Sequence, residues 1–421
     1  MNLLTILGMV EAGHGDRQVL GPHGAGLTGG ELGARARRGG LHLTARGART
    51  VVFIGENGPA FPLALFAAAA AGIPFLPLNY RLAHDQLAAI ARRQDRPFII
   101  ADNAGQLGGD AAAGTASVAE WTALLAPPEL GRPEAVPDGV AEAAEPGPDD
   151  EAVLLMTSGT TAAPKSAVLR HKHLVSYVIG TVDFGAAAPD DAVLVSVPPY
   201  HIAAVANLLT NLYSGRRIVY LERFTAAGWL ETVAAEGITH AMVVPTMLAR
   251  IVDELEAAGG ASGVPGGALR LRSLSYGGAP LTQAILQRAL ALLPEVGFVN
   301  AYGLTETSSS IAVLGPDDHR DAVGSDDPAV RVRLGSVGRP LPGIEIEVRD
   351  AGGAVCAPGQ TGQIYVRGAQ VAGEYRETGP VTDGDGWFST RDEGYLDADG
   401  FLFVRGRDVL PPADDRVVRP P

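Results

Sequence analysis

Lys165 closes the stretch TSGTTAAPKS, residues 157–166, in a chain that has only one other lysine, Lys172. The loop offers hydroxyl groups from Thr157, Ser158, Thr160 and Thr161, the unhindered backbone of Gly159, and one ammonium. Such groups can surround phosphate oxygens, with hydroxyl and backbone donors sharing the charge and the lysine adding a point cation. Gly159, Lys165 and Ser166 also fit the nucleotide-loop pattern G-x-x-x-x-G-K-[ST]. Pro164 occupies the second glycine position, whose backbone must cradle phosphate, so the ordinary P-loop reading fails there. Taken alone, the stretch is equally a solvated polar loop.

Three further stretches carry reactive side chains. NAYGLTETSSS, residues 300–310, joins the aromatic Tyr302, Gly303, the hydroxyl of Thr305 and the carboxylate of Glu306. SYGGAPL, residues 275–281, places a Gly-Gly turn after an apolar run, where a planar ring could approach the backbone. PPYHIAA sets His201 behind two prolines and a tyrosine. Alone, His201 reads as a core histidine, Glu306 as a local cap, and Asp392 beside Arg391 as a surface ion pair worth little. His171 and His173 stand at i and i+2, a poor helical metal pair, and read with Lys172 as a solvated helix start.

These loops need elements to hold them. RTVVFIGENGP, IPFLPLNYR and PFIIAD read as strands separated by an Ala-rich helix and the helix HDQLAAIARRQ, an alternation that implies a parallel sheet with covered faces. Between about 103 and 150 the composition turns to Ala, Gly, Pro and acids, with VAEWTALLA the one helical signal, and reads as a surface connection. Alternation resumes with EAVLLMTSG, DAVLVSVPPYH, GRRIVYLERF, the helix WLETVAAEG, ITHAMVVPTML and LRSLSYGGAPL, a second α/β layer. GPDDHRDAVGSDDPAVR reads as an exposed loop. Beyond it, short strands with Gly-rich turns indicate a small β-rich unit.

Composition bounds the function. At 421 residues and 46% hydrophobic content the chain can bury a large core. A formal net charge of -14 argues against nucleic acid or an anionic membrane surface as partner. One cysteine, Cys356, excludes an internal disulfide framework and reads as a buried bystander. The N-terminus lacks a secretory pattern. The uncharged run 58–80 is nearly long enough to span a bilayer, but prolines and glycine divide it into a buried helix and a strand. No membrane span and a cytoplasmic location are expected.

In chain order, MTSGTTAAPK, PPYHIAA, SYGGAPL, NAYGLTET, GSVGRPLPG and STRDEGYLDADGFLFVRGR resemble the motifs of the adenylate-forming superfamily of acyl-CoA synthetases, luciferases and peptide-synthetase adenylation domains. PLNYRL adds a likeness to fatty or aryl acyl-CoA synthetases. The resemblance runs from the N-terminus through Arg407. It implies an α/β large domain: two stacked, mostly parallel αβ subdomains, about 1–150 and 151–335, and a small β-rich subdomain, 336–407. ATP and Mg²⁺ are the implied cofactors, a small carboxylic acid the substrate and CoA a co-substrate.

The resemblance also implies roles. Thr157, Ser158, Gly159, Thr160, Thr161 and Lys165 would wrap the β- and γ-phosphates. Gly277, Gly278 and Ala279 would line the adenine site, Tyr302 would stack on the ring, and Ala301 and Gly303 would complete that wall. Thr305 would contact the α-phosphate, Glu306 would hold Mg²⁺, Asp392 and Arg407 would bind the ribose hydroxyls, and His201 would sit at the mouth of the acyl pocket. The reaction expected is AMP-forming activation of the acid to an acyl adenylate. The rival reading is a non-catalytic nucleotide or acyl-adenylate binder, or one half of a split ligase. Amino-acid activation is disfavoured, since VSVPPYHIAAVAN gives an apolar wall where an acid would be needed.

Two departures bear on this. The family usually has glycine at 162 and 166, where this chain has Ala162 and Ser166, and a Cβ there could restrict the loop. Family members also continue past the arginine of the GR pair into a lid of on the order of a hundred residues, which carries a second catalytic lysine. Here DVLPPADDRVVRPP, residues 408–421, follows and reads as an irregular tail. The expectation is that this chain alone adenylates slowly and forms thioesters poorly, with a separate lid chain or an acyl acceptor as possible partner.

Overall fold

The computed structural model describes residues 1–107, 109–126, 141, 143–157, 165–264 and 268–407. Among these residues the chain forms two large mixed sheets and a smaller antiparallel one.

The first sheet grows from apolar runs. Thr50–Ile54 is buried at every position and pairs in parallel with Phe75–Pro77 on one side and Pro97–Ala101 on the other. Such uninterrupted burial is what a strand covered on both faces requires. Between the first two lies the helix Ala60–Ala70, buried from Ala60 through Ala69. Most of the uncharged run 58–80 is therefore core, and no helix among the described residues is long and apolar enough to cross a membrane. Phe61, Phe66 and Phe75 are fully buried here, each contributing about 1.5–3 kcal/mol by leaving water. The antiparallel hairpin Glu151–Thr157 and Lys165–Arg170 extends this sheet, and Glu374–Tyr375 pairs onto its outer strand.

The second sheet is parallel through its centre. Gly297–Leu304, Ser273–Gly277, His240–Val243, Ala192–Val195, Arg217–Tyr220 and Gln18–Leu20 lie side by side in that order. His201, Gly278 and Thr305 follow three of these strands at their carboxyl ends, where open parallel sheets bind ligands. The antiparallel sheet is Ile344–Arg349, Gly362–Gly368, Phe388–Leu396 and Leu402–Arg407.

Sheet membership crosses the boundaries drawn near 150 and 335. Gln18–Leu20 and Leu27–Thr28 join the second sheet, Glu374–Tyr375 and Gly379–Pro380 join the first, and the hairpin starting at 151 stays with the first. Within the stretch 103–150, Gly114–Ala116 adds an edge strand and Trp121 is fully buried, so that part is structural rather than a plain connection. The loop expected over 315–331 is two helices, Pro316–Gly324 and Pro328–Arg331. Each has proline in its first turn, and the Asp318 and Asp327 carboxylates accept N–H bonds from Gly315 and Ala329, which are helix-starting devices. Cys356 is only half-buried.

The solvated helix start expected at 171–173 is also corrected. His171 and His173 are 1% and 6% exposed, and only Lys172 reaches solvent, paired with Asp149 at 2.6 Å. The Leu3 N–H donates to His171 Nδ1 at 3.2 Å, and the Arg170 N–H to His173 Nδ1 at 3.3 Å. Both rings must stay neutral to accept these bonds. Burial pushes both pKa values from 6.5 down to about 4. The unfolded chain thus takes up protons first, and stability present above pH 6.5 is lost as the pH falls from 6.5 towards about 4. The expected outcome is a urea midpoint that declines across that window, with a smaller decline in His171→Asn; an unchanged slope in the variant contradicts the assignment.

Candidate active site

Thr157 ends one strand of the hairpin and Lys165 begins the other, as paired residues, with the Thr157 hydroxyl donating to the Lys165 carbonyl at 3.3 Å. Ser158, Gly159, Thr160 and Thr161 lie outside the described residues, as does Ala162. Ser166 is in the regular strand and is not among the residues with positive φ, so its Cβ imposes no strain there. It does something else: its N–H and Oγ both donate to the Glu377 carboxylate, at 2.9 and 3.0 Å.

Glu306 lies in the short turn Thr305–Thr307 that follows the strand Gly297–Leu304 and is 7% exposed. The backbone N–H groups of Ala372 and Gly373 donate to its carbonyl at 2.8 and 3.2 Å, and the Tyr375 hydroxyl donates to its Oε1 at 2.6 Å. The Tyr375 ring in turn lies 5.2 Å from Lys165 Nζ. The lysine of one sheet and the carboxylate of the other thus meet across a single tyrosine. Ser308 and Ser309, just beyond the turn, have φ of +56° and +115°. Such conformations persist only where the surroundings over-determine them.

Tyr302 and Asp392 form a second cluster, the Tyr302 hydroxyl donating to Asp392 Oδ2 at 2.7 Å. Asp392 is thus bonded to a side chain of the second sheet. Asp392 is the register partner of Arg407, whose side chain lies outside the described residues. Gly277 ends its strand with Ala301 as register partner on the neighbouring one. Gly278 has φ of +81°, and a Cβ there would meet nothing nearer than Val244 Cγ1 at 4.0 Å. Its backbone therefore faces open space beside exposed Ala279, as a flat ring approaching the main chain would need.

His201 keeps different company, at the exposed N-cap of the helix Ile202–Ser214. Its ring is 4.5 Å from that of Tyr200, which meets Tyr80 edge-on at 5.7 Å, and Arg81 lies over the Tyr80 ring. Desolvation by this packing, then the Arg81 cation, lower the His201 pKa below its ordinary value. His201 thus stands beside an aromatic pair capped by a cation.

Tyr375, Glu377 and Gln370 escaped the sequence reading. The strand that carries Tyr375, Glu374–Tyr375, is two residues long and shows no periodicity; an aromatic between two acids in GEYRE is the one available sign.

The sequence model of the family described as AMP-binding enzyme matches residues 10–376. Feruloyl-CoA synthase from Amycolatopsis sp. is 32% identical over 405 residues, covering 91% of this chain and 74% of the relative. A 2-succinylbenzoate–CoA ligase from Bacillus licheniformis is 32% identical over 263 residues, 62% of this chain and 50% of that protein. The matched region is thus half the length of the Bacillus ligase. Among solved structures, o-succinylbenzoate coenzyme A synthetase from Bacillus subtilis in complex with AMP superposes with a TM-score of 0.79 at 24% identity, covering 96% of this chain and 98% of that one. The N-terminal domain of FACL13 from Mycobacterium tuberculosis gives 0.79 at 22%, covering 97% and 100%. The fold is that of these adenylate-forming large domains.

Proposed function

Since this chain belongs to the AMP-binding enzyme family, we propose that it activates a carboxylic acid with ATP, releasing pyrophosphate and holding an acyl adenylate for transfer to a thiol such as coenzyme A. The observation that carries this reading is the meeting of Lys165 and Glu306 through Tyr375, beside the Tyr302–Asp392 pair.

The residues fit the groups they would hold. No set of three or more His, Cys, Asp or Glu among the described residues could hold a metal by itself. A lone buried carboxylate suits Mg²⁺, which completes its shell with waters and substrate phosphates. Glu306 would be that ligand, and Mg²⁺ there would draw charge from the phosphates. Lys165 and residues 157–161 would face the β- and γ-phosphates, and Thr305 the α-phosphate. Tyr302 would stack on adenine beside 277–279, Ala301 and Gly303, while Asp392 and Arg407 would take the ribose hydroxyls. His201 would mark the acyl entrance.

In the reaction, a carboxylate oxygen bonds to the α-phosphorus while the bond to the bridging oxygen breaks and pyrophosphate leaves. The chain's task is to hold two anions in line and stabilise the departing charge. Attack of a thiolate on the acyl carbon then expels AMP. We take the acid to be a medium-chain or aryl carboxylate, supported by small Ala203 and Ala204 behind His201 and by relatives named for feruloyl and succinylbenzoate acyl groups.

Incubation with ATP, Mg²⁺ and a panel of medium-chain and aryl acids is expected to yield the matching acyl-AMP by mass spectrometry. ATP binding with no acyl-AMP from any acid overturns catalysis in favour of a non-catalytic nucleotide binder.

A further inference from the structure

Segment 370–377 is bonded to both halves of the candidate site. Buried Gln370 donates from Nε2 to the carbonyls of Thr307 and Ser310, at 3.0 and 2.8 Å, and Ala372 and Gly373 hold the Glu306 carbonyl. Two residues further the same segment joins the lysine hairpin. Tyr375 is the register partner of Ala167, and the Arg376 N–H donates to the Ser166 carbonyl at 2.9 Å. Glu377 accepts two bonds from Ser166, and Glu374 accepts two from the Arg170 guanidinium, at 3.0 and 2.8 Å. Tyr375 stands where the two sets of bonds meet.

Resting on the reading of Glu306 and Lys165 as Mg²⁺ and phosphate ligands, we propose that Tyr375 is a positioning residue that sets both. Its hydroxyl occupies one lone-pair direction of Glu306 Oε1 at 2.6 Å. A donor on one oxygen of a buried carboxylate fixes the rotamer and leaves a defined face for a cation. Its ring lies within cation–π range of Lys165 Nζ, so the ammonium is held near the same carboxylate without a direct ion pair that would neutralise both. A side chain with two rotatable bonds, anchored by backbone pairing on either side, thereby sets the spacing of two charges that come from different sheets. The short contact also explains how Glu306 stays satisfied while buried.

The test is the Mg²⁺ dependence of ATP binding, read by calorimetry on the wild-type chain and on Tyr375→Phe, Tyr375→Leu and Glu306→Gln. Tyr375→Phe keeps the ring and loses the hydroxyl, so the Mg²⁺ concentration for half-maximal enhancement of ATP affinity is expected to rise about 10- to 100-fold, with Mg²⁺-free ATP affinity unchanged. Tyr375→Leu is expected to add a roughly two- to fivefold loss in Mg²⁺-free affinity through Lys165. Should the leucine variant lose its fold, the phenylalanine variant carries the test alone. A purely structural tyrosine would lower the melting temperature and leave the Mg²⁺ requirement where it was; that result in a folded Tyr375→Phe overturns the proposal. If Glu306→Gln shifts the Mg²⁺ requirement and Tyr375→Phe does not, only the role of Tyr375 falls. If Glu306→Gln also leaves it unchanged, the reading of Glu306 falls with it.

Discussion

Lys165→Ala is expected to weaken ATP binding by roughly 10- to 100-fold, the loss of a charge-assisted interaction of about 1.5–3 kcal/mol. Its ammonium lies by the Tyr375 ring and makes no ion pair among the described residues, which suits it to meet an incoming phosphate. No other lysine can replace it. Lys172 is the one remaining, and it starts a helix with its ammonium 2.6 Å from Asp149. Lys172→Ala is therefore the matched control and should leave ATP affinity unchanged. Calorimetric dissociation constants decide between them: equal losses in the two variants would point to bulk charge rather than a phosphate site.

Gly303→Val should abolish acyl-adenylate binding and destabilise the chain together. A Cβ at 303 would stand 2.0 Å from the Ser309 carbonyl oxygen and 2.7 Å from Ser310 Cα. Both are backbone atoms of the adjoining strand, so no side-chain rotation relieves the clash, and that strand or the Tyr302–Thr305 segment must move. The overpacking cost is about 1–3 kcal/mol or more. The displaced segment carries the Tyr302 bond to Asp392 and the turn holding Glu306, which is why function and stability should fall together. Thermal unfolding and calorimetry on one preparation check both; a Gly303→Val chain with wild-type melting and binding contradicts this account of the strand pair.

Much of this was legible in the sequence where the physics is local. Thr50–Ile54, Phe75–Pro77, Pro97–Ala101 and Ala192–Val195 are short apolar runs that no exposed element could tolerate, and they became buried strands. PPYHIAA follows Ala192–Val195, and SYGGAPL and NAYGLTET lie at the ends of Ser273–Gly277 and Gly297–Leu304. What stayed hidden depends on partners distant in the chain. His171 looks polar and solvated until the N-terminal helix brings the Leu3 N–H against it. Gln18–Leu20 joins the second sheet because Leu20 pairs with Ile218, a contact that no local pattern announces. Residues 315–331 show no apolar periodicity long enough to announce a helix, and the proline and aspartate at each helix start are also turn formers. Tyr375 was missed because its significance lies in bridging Glu306 and Lys165, neither of which is near it in sequence.

The central claim is that this chain presents a formed adenylate site. Calorimetric titration of the purified protein with an aryl acyl-sulfamoyl adenosine, an unreactive mimic of the acyl adenylate, tests it most directly, because a preorganised site binds such a mimic more tightly than either half of it. The account predicts saturable one-to-one binding, tighter than that of AMP or the free acid. A folded chain that binds neither the mimic nor ATP would contradict it.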